Sequence, residues 1–158
     1  MKSKKALVTG GAGFIGSHLV ENLLEKGYDV IVMDDFSTGK RENLLRVEEE
    51  IKIVKGDLRN LEFVLKNVKD ADIVFHLAAN YSVPLSSKDP IFDFESNALT
   101  TLNILEAMRK NDINTIVFTS SSTVYGETEK FPIPEDAELK PINNYGASKV
   151  CAETYIHS

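Results

Sequence analysis

The chain has 158 residues, of which 42% are hydrophobic and 27% are charged, and these proportions are typical of a globular protein with one hydrophobic core. Its formal net charge of −6 argues against a surface that binds nucleic acid or an anionic membrane. No apolar run reaches the length of about 18 residues that a membrane-spanning helix needs, so no membrane partner is expected. The single cysteine, Cys151, excludes an internal disulfide and favours a reducing, cytoplasmic location.

The first informative segment is residues 6–16, ALVTGGAGFIG, where an apolar strand pattern runs directly into Gly10, Gly13 and Gly16. A helix pattern in residues 17–26 stops at Gly27, and a second strand pattern occupies residues 28–33. A strand, a tight glycine turn and a helix N-terminus together present backbone N–H groups to a dinucleotide pyrophosphate. A Cβ at these glycines would block the ligand or the packing of helix on strand. The segment therefore predicts a dinucleotide-binding turn.

Two acidic residues, Asp34 and Asp35, end the second strand pattern. A carboxylate at this place accepts hydrogen bonds from the adenosine ribose hydroxyls and repels a 2′-phosphate, which favours NAD over NADP. Lys40 and Arg41 in the following loop argue for NADP, but a basic residue that reads the 2′-phosphate usually replaces the acid rather than following it. NAD is therefore the expected cofactor, and a solvated loop of mixed charge is the alternative.

Strand and helix patterns alternate along the rest of the chain. Residues 42–49 predict a short polar helix, 51–54 a strand, 60–67 a helix and 72–76 a fourth strand. Residues 90–110 predict one long helix, in which Phe94, Ala98, Leu102 and Leu105 recur at helical spacing, and 114–119 predict a fifth strand. No repeat or linker divides the chain. This alternation predicts an α/β fold with a doubly wound parallel sheet of about five strands, covered by helices on both faces.

A second group of reactive residues is Tyr145-Gly-Ala-Ser-Lys149. Positions i and i+4 of a helix share a face, so the ammonium group of Lys149 should lie one turn from the phenol of Tyr145. A tyrosine is a poor base at neutral pH unless a neighbouring cation stabilises its phenolate. The serine run at residues 120–122 follows the fifth strand pattern, where it would supply a hydroxyl to the same cleft. An ordinary solvated helix face is the alternative.

These motifs together resemble the extended short-chain dehydrogenases/reductases of the NAD-dependent sugar epimerase/dehydratase family. The matching segments are TGGAGFIGSHLV at 9–20, the loop from Asp34 to Gly39, Gly56-Asp57-Leu58, HLAA at 76–79, Asn97, TSSSTVYG at 119–126 and YGASK at 145–149. The resemblance implies a Rossmann-like fold. It also implies that residues 1–158 are the NAD-binding domain, and that a C-terminal substrate domain lies outside this chain.

The resemblance also implies roles for individual positions. Ser121 takes the catalytic Ser/Thr position, Tyr145 the base, and Lys149 the residue that activates Tyr145 and holds the nicotinamide ribose. Ser121, Ser122 and Thr123 would meet the substrate, and Asn97 would be structural. The resemblance also implies four groups of cofactor contacts. The pyrophosphate would meet Gly10, Gly13, Phe14, Ile15 and Gly16, and the adenosine ribose would meet Asp34, Asp35, Ser37, Thr38 and Gly39. The adenine would meet Asp57 and Leu58, and the nicotinamide ribose would lie near Leu77, Ala78, Ala79 and Tyr81.

The activity that the resemblance implies is NAD-dependent epimerisation of a nucleotide sugar, with a UDP-sugar as the substrate of the full-length form. Another NAD-dependent nucleotide-sugar enzyme, such as a UDP-glucuronate decarboxylase or epimerase, is one alternative, and a non-catalytic NAD-binding module is a second. The 4,6-dehydratases of this family carry Asp-Glu directly after the catalytic hydroxyl residue. Ser122 and Thr123 stand there in this chain, so dehydration is not expected.

The resemblance further implies a homodimer, in which the long helix at 90–110 and the helix near Tyr145 pair with those of a second subunit as a four-helix bundle. The apolar positions expected on that surface are Ile91, Phe92, Leu99, Val150 and Ala152. The fifth strand is expected to lie at an unprotected sheet edge.

The remaining polar residues have simpler interpretations. His76 ends an apolar strand pattern and is expected to be packed or hydrogen-bonded, and no metal site is expected because no second ligand stands at a useful spacing. Cys151 has apolar neighbours and is expected to be buried rather than nucleophilic.

Overall fold

The computed structural model describes residues 3–158, which divide into two compact units. The first unit runs to Ala78 and also contains Asn103–Thr119, and the second comprises Ala79–Leu102 and Ser120–Ser158. Within residues 3–158, no helix combines the length and hydrophobicity that crossing a membrane requires.

The first unit contains one sheet of five parallel strands, in the order β3-β2-β1-β4-β5. The strand bounds are β1 (Lys5–Thr9), β2 (Asp29–Asp34), β3 (Ile51–Lys55), β4 (Ile73–His76) and β5 (Ile116–Phe118). Thr9 of the central strand is in register with Met33 on one side and His76 on the other. The carboxyl ends of three strands therefore lie together, at the edge where α/β sheets bind ligands.

Both faces of the sheet are covered, as the alternation of strands and helices predicts. Helix α1 (Phe14–Glu25) packs with Ala6 and Val8 on one face, through Val20 and Leu23. On the other face Leu7 packs in a cluster to which α2 (Leu61–Asn67) and α5 (Thr100–Lys110) contribute Val64, Ile104, Ala107 and Met108. A short 3₁₀ helix, Arg41–Leu44, completes the first unit.

The second unit is built from helices. They are α3 (Val83–Lys88), α4 (Pro90–Phe94), a π-helical turn at Glu95–Leu99, the start of α5, a 3₁₀ helix at Ser122–Tyr125 and α6 (Asn144–His157). Helix α4 and the π-helical turn lead without a break into α5, which begins in the second unit and ends in the first.

The strands match the sequence predictions to within one or two residues, but two helical predictions need correction and one helix was missed. The polar helix expected at 42–49 is only the 3₁₀ helix Arg41–Leu44, and Glu48, beyond its end, pairs with Arg41. The helix expected at 90–110 is continuous, but Glu95–Leu99 within it form a π-helical turn rather than α-helix. Helix α3 was not predicted, since its sequence VPLSSK has no apolar periodicity.

Candidate functional site

The glycine turn after β1 is tightly folded. Gly10 has a φ of +68°, and a Cβ there would lie 2.7 Å from the backbone nitrogen of Ala78. Its own N–H donates to the Met33 carbonyl at 2.9 Å, and the N–H of Gly13 donates to the Gly10 carbonyl at 3.1 Å. A Cβ on Gly16 would collide with that same carbonyl oxygen. Strand β1 and helix α1 thus approach as closely as the sequence motif predicts.

The N-terminus of α1 offers donors for an anion. Its N-cap is Gly13, which provides no side-chain hydrogen bond, and its first turn holds no acidic residue. The leading N–H groups of a helix have no partner inside the helix. Phe14 and Ile15, in that first turn, are both exposed although both are apolar. These features suit the pyrophosphate role predicted for residues 10–16.

Asp34 fastens the end of β2 to the glycine turn. Its carboxylate accepts hydrogen bonds from the backbone N–H groups of Ala12 at 2.9 Å and Phe36 at 2.8 Å. Burial raises the pKa of the Asp34 carboxyl above its ordinary value, although these two hydrogen bonds oppose the shift. Each carboxylate oxygen has two lone pairs and can accept a further hydrogen bond. The structural role found here is therefore compatible with the predicted contact to the ribose.

The loop after Asp34 also folds onto the glycine turn. The Ala12 carbonyl accepts from the Lys40 N–H at 3.0 Å and from Asn43 Nδ2 at 2.8 Å. A Cβ on Gly39 would lie 2.9 Å from the Ala12 Cβ. The exposed Asp35 closes a turn by accepting from the N–H and Oγ of Ser37. The contact of Lys40 with the glycine turn is made by its backbone N–H. This contact does not support a site for a 2′-phosphate.

Asp57, predicted beside the adenine, follows the end of β3 and is oriented by Arg59. The Arg59 guanidinium donates from Nε and Nη2 to the Asp57 carboxylate, and the Arg59 N–H adds a third bond at 2.8 Å. These hydrogen bonds lower the pKa of the Asp57 carboxyl. Leu58 is buried, and its carbonyl accepts from Asn103 Nδ2 at 2.8 Å. Sequence reasoning missed Arg59, although an arginine two residues after an acid is a visible signal.

His76 ends β4 in a buried polar contact, as the sequence predicts. Its Nδ1 lies 2.7 Å from Thr9 Oγ1, and that hydroxyl oxygen also accepts from the N–H groups of Leu77 and Ala78. The ends of β1 and β4 are joined by these bonds. Ala79 and the exposed Tyr81 belong to the second unit, so the four residues predicted along the nicotinamide path are divided between the two units.

The three predicted catalytic residues all lie in the second unit. Ser121 is the N-cap of the 3₁₀ helix Ser122–Tyr125, and its Oγ accepts from the Thr123 N–H at 3.3 Å. Asn143 caps α6 by accepting from the Gly146 N–H, and the Tyr145 N–H donates to Ser86 Oγ at 3.1 Å. Helix α6 therefore starts at a fixed point, one residue before Tyr145.

Lys149 and Tyr145 meet as the i, i+4 spacing predicts, with Lys149 Nζ 5.9 Å from the centroid of the Tyr145 ring. Lys149 is buried at 3% exposure. Burial lowers its pKa to about 8, while the charges of Asp93 and Glu153 oppose the shift. A buried cation beside a phenol is the arrangement that stabilises phenolate. The substrate-side residues Ser122 and Thr123 are exposed and half-buried, respectively.

A buried hydrogen-bond network surrounds Asn97, the predicted structural asparagine. Asn97 Oδ1 accepts from the Asn80 N–H at 2.8 Å, and Asn97 Nδ2 donates to Ser148 Oγ at 2.9 Å and to Asp93 Oδ1 at 3.1 Å. Sequence reasoning missed Asn80, Asp93 and Ser148. The available signal for Asp93 was an acid one helical turn before Asn97, on the same face.

Cys151 carries a free thiol and is half-buried, less buried than expected. Among residues 3–158, no three His, Cys, Asp or Glu side chains converge as metal ligands.

Comparison with known proteins identifies the family. The sequence profile of the family described as GDP-mannose 4,6 dehydratase matches residues 7–158. The chain belongs to this family. Membership confirms the resemblance to the NAD-dependent epimerases/dehydratases that was inferred from the motifs. It also confirms the Rossmann-like fold.

Relatives within the GDP-mannose 4,6 dehydratase family include UDP-sugar epimerases. UDP-glucose 4-epimerase of Lactobacillus helveticus is 40% identical over 151 residues, which are 94% of this chain and 45% of that protein. A UDP-N-acetylglucosamine 4-epimerase structure from Methanobrevibacter ruminantium, in complex with UDP-N-acetylmuramic acid, is 40% identical with a TM-score of 0.92. The match covers 99% of this chain and 50% of that one.

The UDP-glucose 4-epimerase of Thermus thermophilus, solved in complex with NAD, is 43% identical with a TM-score of 0.91. The match covers 97% of this chain and 50% of that one. The chain thus spans about half the length of the relatives that it matches.

Proposed function

We propose that residues 1–158 are the NAD-binding and catalytic-residue half of a nucleotide-sugar 4-epimerase of the UDP-glucose/UDP-galactose type. One observation carries the proposal: the buried ammonium group of Lys149 lies 5.9 Å from the Tyr145 ring centroid, one turn along α6. This pair is a candidate proton acceptor of the kind that oxidation of a sugar hydroxyl requires.

The glycine turn fits NAD. Gly10 and Gly16 allow a close backbone approach that a Cβ would prevent, so β1, α1 and Ala78 meet tightly, and the N-terminus of α1 has no side-chain cap. Residues 10, 13, 14, 15 and 16 would hold the pyrophosphate, and Asp34 and Asp35 with residues 37–39 the adenosine ribose. Asp57 and Leu58 would flank the adenine, and Leu77, Ala78, Ala79 and Tyr81 would lie near the nicotinamide ribose. Bound NAD supplies a hydride acceptor.

The catalytic residues of this chain handle the proton. Tyr145, beside the ammonium group of Lys149, would take the proton of the sugar 4-hydroxyl when that hydroxyl is oxidised. On reduction of the 4-keto sugar, Tyr145 would return the proton to the same oxygen. The Ser121 hydroxyl would hydrogen-bond the sugar oxygen. Its Oγ already accepts from Thr123 N and Oγ1, so its own proton is available to donate.

Dehydration is not proposed, although the family is described by a 4,6-dehydratase. Elimination of water needs an acid and a base beside the sugar, and the positions after Ser121 hold the hydroxyl residues Ser122 and Thr123. The Thr123 hydroxyl points back to Ser121 Oγ at 3.0 Å. Neither side chain ionises near neutral pH, so neither performs that chemistry.

The test is a chimera that joins residues 1–158 to the C-terminal half of the Thermus thermophilus relative. We expect it to interconvert UDP-glucose and UDP-galactose, and Tyr145→Phe to remove nearly all conversion while NAD binding persists. UDP-N-acetylglucosamine is assayed in parallel. NAD binding by a well-folded chimera that converts no UDP-sugar would favour the non-catalytic module instead. Residues 1–158 alone should bind NAD without turnover, because the distant nucleotide contacts that position a sugar are missing.

We further propose that the chain acts as a homodimer in the cytoplasm. Ile91, Phe94, Leu102 and Tyr155 of the second unit are exposed, with Ile91 at 73%, and exposed apolar side chains on helices that pack together, as α4 and α6 do, support an interaction surface. Among the positions expected on that surface, Phe92, Leu99 and Val150 are half-buried, but Ala152 is fully buried and must be removed from it. The cytoplasmic location is supported by the single, unpaired Cys151.

A further inference from the structure

Asp93 is a buried carboxylate to which the proposed reaction assigns no role. It lies on α4 at 1% exposure. Its Oδ1 accepts hydrogen bonds from Asn80 Nδ2 at 2.8 Å and Asn97 Nδ2 at 3.1 Å. Its Oδ2 is also buried and has no hydrogen-bond partner among residues 3–158. Burying a carboxylate is costly unless hydrogen bonds and an opposite charge compensate it.

The compensating charge in the second unit is that of Lys149. Among the lysines and arginines that the structure describes, Lys149 alone is buried. It lies on α6, and α6 packs against α4 and the π-helical turn. Two buried groups of opposite charge in one small unit lower the cost of burying each other.

A chain of hydrogen bonds also links Asp93 to the turn of α6 that carries Lys149. Asn97 Nδ2 donates to both Asp93 Oδ1 and Ser148 Oγ, and Ser148 Oγ donates to the Tyr145 carbonyl at 2.9 Å. Ser148 precedes Lys149 directly. The chain therefore reaches the backbone carbonyl of Tyr145 and the residue next to Lys149.

We propose that Asp93 is a positioning residue for Lys149: its carboxylate balances the buried ammonium group, and its chain through Asn97 and Ser148 fixes the turn of α6 that holds Tyr145 and Lys149. The coupling between Asp93 and Lys149 does not depend on the proposed function. Its importance for catalysis rests on the proposed function. Without Asp93, Lys149 loses its proton more easily, and the Tyr145 phenolate loses its stabilising cation.

The electrostatics of Lys149 agree with this role. Burial lowers the pKa of Lys149 from its ordinary value of 10.5 to about 8, and the charge of Asp93 is the largest influence that opposes the shift. Glu153, on α6 itself, is the second. The phenol ring of Tyr145 also lies near the ammonium group, with its centroid 5.9 Å from Nζ. Asp93 therefore matters more than Glu153 for the charge of Lys149.

The test is an NMR titration of ¹³C-labelled lysines in the chain, with the Lys149 signal assigned by its loss in Lys149→Arg. We expect Asp93→Asn to lower the Lys149 midpoint by about one pH unit or more, a tenfold change in proton affinity. Glu153→Gln, the matched control, should lower it less. Asp93→Glu keeps the charge and should return the midpoint towards that of the wild type. An unmoved midpoint in Asp93→Asn, or an equal fall in Asp93→Glu, would overturn the proposal.

A second measurement covers the case in which Asp93→Asn folds poorly. Lys149→Met in the Asp93→Asn background removes the ammonium group that has lost its counter-charge. We expect the double variant to unfold at a higher urea concentration than Asp93→Asn alone. If Lys149→Met shifts the urea midpoint equally in both backgrounds, the two residues are not coupled and the proposal fails.

Neither measurement needs NAD or a sugar. A chimera without epimerase activity but with the expected Lys149 shift would overturn the proposed function and leave this inference standing. An active chimera with an unmoved Lys149 midpoint would do the opposite.

Discussion

Gly146 faces the Thr123 carbonyl so closely that a Cβ on residue 146 would lie 2.6 Å from that oxygen. Thr123 is in the 3₁₀ helix that Ser121 caps, and Gly146 follows Tyr145. Because residue 146 is glycine, this 3₁₀ helix with its cap Ser121, here called the serine turn, can lie close to the helix that carries Tyr145 and Lys149.

The first prediction is that Gly146→Ala destabilises the chain. Alanine in a helix should gain about 1 kcal/mol over glycine, but a collision with backbone that cannot move aside costs about 1–3 kcal/mol. We expect a net loss of up to about 2 kcal/mol in urea unfolding. Ala147→Ser, at the exposed neighbouring position, is the control and should change little. A Gly146→Ala chain more stable than wild type would show that the contact is not tight.

The second prediction concerns the glycine turn. In Gly16→Ala the new Cβ meets the Gly10 carbonyl and lies 2.8 Å from the Gly11 Cα. Helix α1 must then move away from the turn, and calorimetry should show NAD affinity reduced at least about tenfold. Gly27→Asn is the control, because Gly27 at φ +80° has nothing within 4 Å of a built Cβ and asparagine tolerates that backbone. Unchanged NAD affinity in Gly16→Ala would place the pyrophosphate elsewhere.

The third prediction concerns Asp34. The chain should bind NAD more tightly than NADP, and Asp34→Asn should reduce that preference because the repulsion of a 2′-phosphate is lost. An amide has one acceptor oxygen, so the variant also loses one of the bonds to the Ala12 and Phe36 N–H groups. This loss should cost about 1–3 kcal/mol of stability. Asp35→Asn keeps its acceptor oxygen and should remain stable. Tighter binding of NADP by the wild type would contradict the assignment.

The fourth prediction is a pH dependence of stability that arises from Lys149. Its pKa of about 8 in the folded chain lies below its ordinary value of 10.5. Between these values the unfolded chain binds more protons than the folded chain, so the free energy of unfolding rises with pH from this group. Urea unfolding over that range should show a steeper rise in the wild type than in Lys149→Met. Parallel curves would mean that Lys149 is not buried as a cation.

The fifth prediction concerns assembly. Light scattering coupled to size exclusion should give a dimer at tens of micromolar, a range in which interfaces of about 1,600 Å² normally hold. Ile91→Glu should yield monomers, because it puts a charge among the exposed apolar side chains of the proposed interface. Leu45→Glu, the control, replaces an exposed leucine of the first unit and should leave the dimer intact. A wild-type monomer at that concentration would refute the bundle.

The sheet was predictable because its information is local. Each strand pattern is short and bounded by glycine, acid or asparagine, and the glycine spacing determines where β1 ends and α1 begins. Asp34 and His76 were found because residues at the carboxyl ends of parallel strands meet at one edge. Tyr145 and Lys149 required only the spacing of four residues.

The second unit was less predictable because its contacts are either irregular or distant in sequence. Periodicity cannot reveal the π-helical turn at Glu95–Leu99, where one extra residue per turn rotates the side chains that follow. Leu102, which follows the turn and was expected on the apolar face, is exposed, while Thr101 and Ile104 are buried. The bond from Asn97 to Ser148 joins residues 51 apart, a separation at which spacing carries no signal.

Strand β1 is the central strand, with β2 and β4 on either side, so we expect it to open last in local unfolding. The glycine turn proposed to bind NAD directly follows this strand. The Gly10 N–H, bonded to Met33, and the Leu77 N–H, bonded to Thr9, should exchange with deuterium only when the whole sheet opens. The serine turn instead depends on a 3₁₀ helix of four residues. Thermal fluctuation should therefore disturb the Ser121 hydroxyl, the proposed catalytic group, at lower free energy than it disturbs the glycine turn proposed to bind NAD.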